Sequence, residues 1–111
     1  MEEPTLLVLT NLGDIDSARR IARALVEQQL AACVNMLPGV QSVYRWQGAV
    51  EEESEITLLI KTTATRYAEL EAAIRALHPY QLPEVIAVPI ANGLPAYLDW
   101  VRKETKKDID V

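Results

Sequence analysis

The chain has 111 residues, half of them apolar and about a quarter charged, with 4 glycines and 6 prolines, a composition outside that of disordered chains and suited to one compact domain. Sixteen acidic against eleven basic residues leave a net charge of −5. That is the wrong sign for a phosphate backbone or an anionic lipid surface, so nucleic acid and membrane are excluded as expected partners. The longest uncharged run, 28–44, is interrupted by Gln, Asn, Pro and Gly and does not read as a membrane span. No basic-then-apolar leader opens the chain, and the single cysteine, Cys33, has no partner for an internal disulfide, so the expected compartment is the cytoplasm.

Taken in order, residues 5–12 form a Leu- and Val-rich run that predicts a buried strand, closed by Gly13 and Asp14. Ile15, Ala18, Ile21, Ala22, Leu25 and Val26 then recur at helical spacing, with Asp14 or Asp16 as cap, and predict an amphipathic helix over 15–30. From Ala31 the pattern turns to strand, runs through Pro38-Gly39 to Trp46, turns near Gln47-Gly48 and returns through Val50 to Thr62. Arms of twelve or more residues exceed the usual strand of five or six. The hairpin tip, with Tyr44 and Trp46, is therefore expected to project beyond the body and to need a covering partner, and Pro38-Gly39 suits a bulge where the strand leaves its sheet.

A second helix follows, with Thr63 or Thr65 as cap, Tyr67, Leu70, Ile74 and Leu77 as its buried stripe, and an end forced by Pro79. Residues 85–90 read as a strand in which Pro89 argues for an edge or an end. Pro95 suits the first turn of a last helix burying Leu94, Tyr97, Leu98 and Val101, and the basic tail over 103–111 is expected to fray. The order β-α-β-β-α-β-α predicts an α+β, ferredoxin-like antiparallel sheet with two helices on one face, an extended hairpin and an added C-terminal helix.

That fold serves many functions, so chemistry must come from residues. The first loop, 11–14, has no sulfur for a soft metal and no arginine for phosphate, and the first strand lacks the aromatics of an RNA-binding sheet. His78 is the only imidazole; it serves either as a metal contact or simply as a favourable charge at a helix C-terminus. Cys33 reads as a small hydrophobe, with a ligand or a nucleophile as the alternative. Glu51, Glu52, Glu53 and Glu55 read as a patch that keeps an exposed strand soluble, with a hard-cation site as the lesser alternative because alternation sends neighbouring carboxylates to opposite faces. Tyr44 and Trp46, two apart, share a strand face and suit interface packing.

Five segments, Ala31-Ala-Cys-Val-Asn-Met-Leu-Pro-Gly-Val40, Ser42-Val-Tyr-Arg-Trp-Gln-Gly48, Leu58-Leu-Ile-Lys-Thr-Thr63, Leu77-His-Pro-Tyr-Gln-Leu-Pro-Glu84 and Tyr97-Leu-Asp-Trp100, resemble the CutA family of divalent-cation tolerance proteins in order and spacing. The resemblance implies a cytoplasmic homotrimer with hairpins paired between neighbours and a binding or regulatory role towards copper and other divalent metals. It implies no enzymatic reaction and no required cofactor. The family's proposed copper ligands, a cysteine and a His-His pair, fall on Thr10, Leu77 and His78, so only His78 is retained, with Glu84 as a further candidate for the shell. By likeness to the PII signalling proteins, it also implies a small-ligand sensor whose cleft between protomers holds Tyr44, Trp46, Lys61, His78 and Tyr80. A stable scaffold with an indirect metal phenotype is the third expectation.

Overall fold

The architecture follows from a computed structural model that describes residues 2–107. Its elements are β1 (Thr5–Leu12), α1 (Ile15–Glu27), β2 (Cys33–Trp46), β3 (Ala49–Thr63), a 3-10 turn (Ala64–Arg66), α2 (Tyr67–Leu77), β4 (Ile86–Pro89) and α3 (Pro95–Glu104). One sheet runs in the order β2-β3-β1-β4, with every neighbouring pair antiparallel. β1 and β2 are thus parallel with β3 between them, and β3 and β4 are parallel with β1 between them. These are the two interleaved split βαβ units expected from the element order.

Local chemistry sets the boundaries. Asp14 caps α1 by accepting the Ser17 N–H at 2.8 Å, a bond that also holds its carboxyl below the usual range. The helix ends at Glu27 rather than near residue 30, because Gln29 turns left-handed at φ 58°. The Leu30 N–H then bonds the Leu25 carbonyl at 2.9 Å and the Gln29 N–H bonds that of Val26 at 3.0 Å. This is a Schellman closure with glutamine in the place that favours glycine. Neither Thr63 nor Thr65 caps α2 with its side chain: Thr63 is still paired with Thr5 in the sheet, and the 3-10 turn intervenes. α2 stops before Pro79 as expected, and β4 is an edge strand ending on Pro89.

The hairpin is as long as the sequence implies, with arms of 14 and 15 residues. Gln47 and Gly48, both at positive φ (49° and 83°), form a two-residue turn whose twist matches the strands. Between the pairs Leu37↔Thr57 and Val40↔Glu55, Pro38 and Gly39 stand opposite Ile56 alone. Gly39 takes φ 77° there, completing the expected bulge. The projecting arm makes the chain elongated: its radius of gyration is 14.8 Å and its extents are 49 × 30 × 22 Å, against about 13 Å for a compact chain of this length.

Val8, Leu12, Leu58 and Ile60 point from one face of the sheet into a core completed by Ala18, Ile21 and Leu25 of α1 and Leu70 and Ile74 of α2. The other face carries Leu7, Leu9, Leu37, Leu59, Ile86 and Val88, by strand alternation and register. No helix covers most of it: Leu37, Ile86 and Val88 are 49%, 49% and 46% exposed. α3 lies at one end of this open face, with Tyr97 beside Cys33. Of the stripe expected on α3 only Val101 is fully buried, and Leu94 is 72% exposed. The two ends of the α1 stripe, Ile15 and Val26, are likewise exposed. The tail is ordered further than expected: Thr105 is buried, its hydroxyl donates to the Val101 carbonyl at 2.8 Å, and Lys107 pairs with Glu69 at 3.3 Å. Residues 108–111 lie outside the described residues.

Candidate functional site

The bulge decides which residues meet. One extra residue in β2 reverses the alternation, so Ser42, Tyr44 and Trp46 share a face with Glu55, Glu53 and Glu51, and that face continues the open face of the sheet. The connection 78–85 crosses the same end of the sheet. Between it and the outer arm lies a cleft of about 700 Å³, walled by Tyr44 and Trp46 on one side, Tyr80 and Glu84 on the other, and Asn11 and Glu55 at its base. Val43 and Arg45 also border it, from positions whose side chains alternate to the opposite face.

A hydrogen-bond network fixes the base. The Thr57 hydroxyl donates to Asn11 Oδ1 at 2.6 Å, and Asn11 Nδ2 donates to Glu84 Oε1 at 3.3 Å. The Tyr80 hydroxyl donates to Glu55 Oε2 at 2.9 Å, and burial together with that carboxylate drives the Tyr80 phenol far above its ordinary pKa. Glu55 is only 8% exposed. Burial and the nearby Glu53, Glu51 and Glu55 also raise Tyr44. Gly13 lies under Tyr80, where a Cβ would come within 3.1 Å of the phenol oxygen, so a larger residue would press on the ring that bonds Glu55.

His78 stands behind the cleft wall. Its Nε2 is 2.7 Å from the Asn11 carbonyl, which can only accept, so Nε2 carries the proton and donates. Its Nδ1 accepts the Tyr80 N–H at 3.2 Å, and its ring packs edge-on against Tyr80 at 4.7 Å. Both nitrogens of the sole imidazole are therefore engaged by backbone, the ring is 8% exposed, and burial holds its pKa below the ordinary value. A metal would have to break one of those bonds. Thr10 faces the helices, fully buried, its hydroxyl without a partner among the described residues, and Leu77 packs against the core. Among the described residues no group of three His, Cys, Asp or Glu side chains is placed to hold a metal ion.

Of the residues expected to share a cleft, Tyr44, Trp46 and Tyr80 come together, joined by Glu84. Lys61 does not: it lies six residues from Glu55 along β3, roughly 20 Å at strand rise, bonded to Asn35 and 3.9 Å from the Cys33 sulfur. Asn11 and Glu55 went unrecognised in the sequence. Glu55 reads as one of a solubilising run, and only the phase change at Pro38-Gly39 signals that it shares a face with Tyr44.

No described helix is long and apolar enough to cross a membrane. Residues 6–104 match the family model described as CutA1 divalent ion tolerance protein. The chain is 51% identical over 105 residues, 95% of its own length and 99% of the relative's, to the divalent-cation tolerance protein CutA of Thermus thermophilus. It is 46% identical to protein CutA of Homo sapiens over 84% of its own length, spanning about half (52%) of that longer relative. Among solved structures, CutA1 of Oryza sativa superposes with a TM-score of 0.91 at 37% identity, covering 96% of this chain and 97% of that one. The Thermus thermophilus Cut A1 structure gives 0.89 at 50% identity, covering 91% and 98%. The family match spans residues 6–104 and the solved relatives share the same fold, and the chain belongs to the CutA1 divalent ion tolerance family.

Proposed function

We propose that the protein works as a cytoplasmic homotrimer with a non-enzymatic binding or regulatory role in the response to copper and other divalent metal ions. The supporting observation is the open sheet face, where Leu37, Ile86 and Val88 are about half exposed beside Leu7, Leu9 and Leu59. A continuous apolar face of this kind marks an association surface. The 14-residue edge strand β2 offers unpaired backbone groups alongside it. Sedimentation should give three times the chain mass of 12.4 kDa, and a mass near 12.4 kDa would overturn the assembly.

The bonds at both ring nitrogens of His78 favour a role for this residue in holding the cleft wall over direct coordination of a metal. Titrations of Cu(II), Zn(II) and Ni(II) should then give equal affinities for the protein and for His78→Ala. A tenfold loss in the variant would restore His78 as a ligand. A second reading, a small-ligand sensor, is favoured by the cleft itself, which has the size and the mixed aromatic and polar wall of a small-molecule site. Melting the protein against a metabolite and nucleotide panel tests it, because a ligand specific to the native state raises the melting temperature.

A further inference from the structure

We infer that the cleft between the hairpin arm and the 80–84 loop takes a protonated alkylamine, a refinement that rests on the small-ligand reading. Charge inside the cleft is predominantly negative: Glu55 and Glu84 line it, and the one cationic residue on its border, Arg45, stands at a strand position whose side chain alternates to the opposite face. Glu55, more than nine-tenths buried, has one donor among the described residues, the Tyr80 hydroxyl, and none of their ion pairs includes it. A carboxylate has about four acceptor positions, and a buried one without a cation is costly. Glu84 adds a second carboxylate at the rim, engaged only by the Asn11 amide among the described residues. Glu51 and Glu53 extend the same face outward, opposite Tyr44 and Ser42 in the register.

The remaining walls are aromatic. Tyr44 and Trp46 on the arm and Tyr80 across from them bring π-systems, whose negative faces attract organic cations, around the same space. An anion meets Glu55 and Glu84 there with only Arg45, on the border, to offset them, and a neutral ligand brings no charge to pair with Glu55. A bare divalent ion needs several oxygen ligands, which aromatic walls do not supply and which no cluster of three described ligands provides. An alkylammonium satisfies both halves of the cleft: its N–H groups donate to Glu55 and Glu84, and its carbon chain lies along Tyr44 and Trp46. The N–H donors distinguish an amine from a quaternary ammonium, which carries charge but cannot fill the vacant acceptor positions of Glu55.

A matched series of one chain length tests this: 1,5-diaminopentane, 1,5-pentanediol and glutarate, titrated calorimetrically and by Trp46 emission in a Trp100→Phe background, with the full chain in its native assembly. The diamine should bind saturably and perturb Trp46, the diol and glutarate should bind at least tenfold more weakly, and Glu55→Gln should weaken the diamine at least tenfold. Glu55→Gln preserves an acceptor for Tyr80, and an unchanged melting temperature separates loss of charge from loss of fold. Equal binding of the diol, or tighter binding of glutarate, overturns the amine assignment. So does tetramethylammonium matching the diamine, or Zn(II) binding through Glu55 where the diamine does not. If the series fails while the metabolite panel yields a cleft ligand, the amine class falls and the small-ligand reading stands. If both fail, both fall.

Discussion

Leu58 and Leu59 are adjacent on β3 but lie on opposite faces of the sheet. Leu58 is fully buried under α1 and α2, whereas Leu59 points to the open face among Leu7, Leu9, Ile86 and Val88. The same strands are apolar on both sides, but only one side is covered along its length by the chain's own helices, α3 reaching just one end of the other. One face therefore specifies the fold, and the other is the face that the proposed assembly would use. The sharpest test is to perturb them separately. Leu58→Ala should lower the unfolding free energy by about 2–5 kcal/mol in denaturant titrations, because it leaves a cavity in a packed core. Leu59→Glu should leave the far-ultraviolet circular dichroism native and bring the sedimentation mass down to 12.4 kDa. An unchanged mass would mean that the open face is not the interface.

The cleft lies where the open face meets the 78–85 connection, and Tyr80 ties the two together. Tyr80→Phe removes the only donor that Glu55 has among the described residues and leaves a desolvated acceptor. Tyr80 itself is 38% exposed, so water partly replaces the lost partner. The expected cost is about 1–2 kcal/mol. Additivity in the Tyr80→Phe, Glu55→Ala double-mutant cycle would show that the bond contributes nothing to holding the connection against the sheet.

How far the sequence reveals this arrangement depends on whether the determinants are local. β1 and the start of α1 are legible because alternation, periodicity and the Asp14 cap all act within a few residues. The hairpin is legible because Gln47-Gly48 and the two long β-patterned arms announce it. The end of α1 is not, because Gln29 takes a conformation that its side chain does not advertise. The burial of α3 is overestimated for another reason: Leu94, Tyr97 and Trp100 are apolar, yet the chain offers little for them to pack against. The cleft is half legible. Tyr44, Trp46 and Tyr80 are conspicuous residue types, whereas Asn11 and Glu55 gain their positions only from the register between β1, β3 and the bulged β2. Lys61 shows the converse error: its chemistry fits the cleft, but the register pairs it with Cys33, far from Tyr44.

The boundary between the two faces should also be sensitive to pH. Burial lowers the pKa of His78 in the folded chain, although the Asn11 carbonyl and Glu55 pull weakly the other way. The unfolded chain then binds a proton that the folded chain refuses, so stability falls as pH drops below the unfolded value near 6.5 and is retained in full above it. Protonation at Nδ1 would also remove the acceptor for the Tyr80 N–H and loosen the cleft wall. Melting curves between pH 7 and 5 should show this loss, and His78→Gln should flatten it. A variant that keeps the same slope would assign the loss to carboxylates instead.

The smallest effect belongs wholly to the helix-covered side. Gln29 adopts φ 58°, a backbone region that a residue with a Cβ occupies at a cost, in order to close α1 and direct Leu30 into the core. Gln29→Gly relieves that strain but gives the unfolded chain more freedom, so the net gain should be about 0.5–1 kcal/mol, read as a higher denaturant midpoint. Gln29 is exposed and stands away from β2, β4 and the cleft, so neither the sedimentation mass nor ligand-dependent melting should change. A shift in either would mean that the helix-covered side and the open face are coupled through the start of β2, four residues downstream at Cys33, and that the separation of folding from assembly is incomplete.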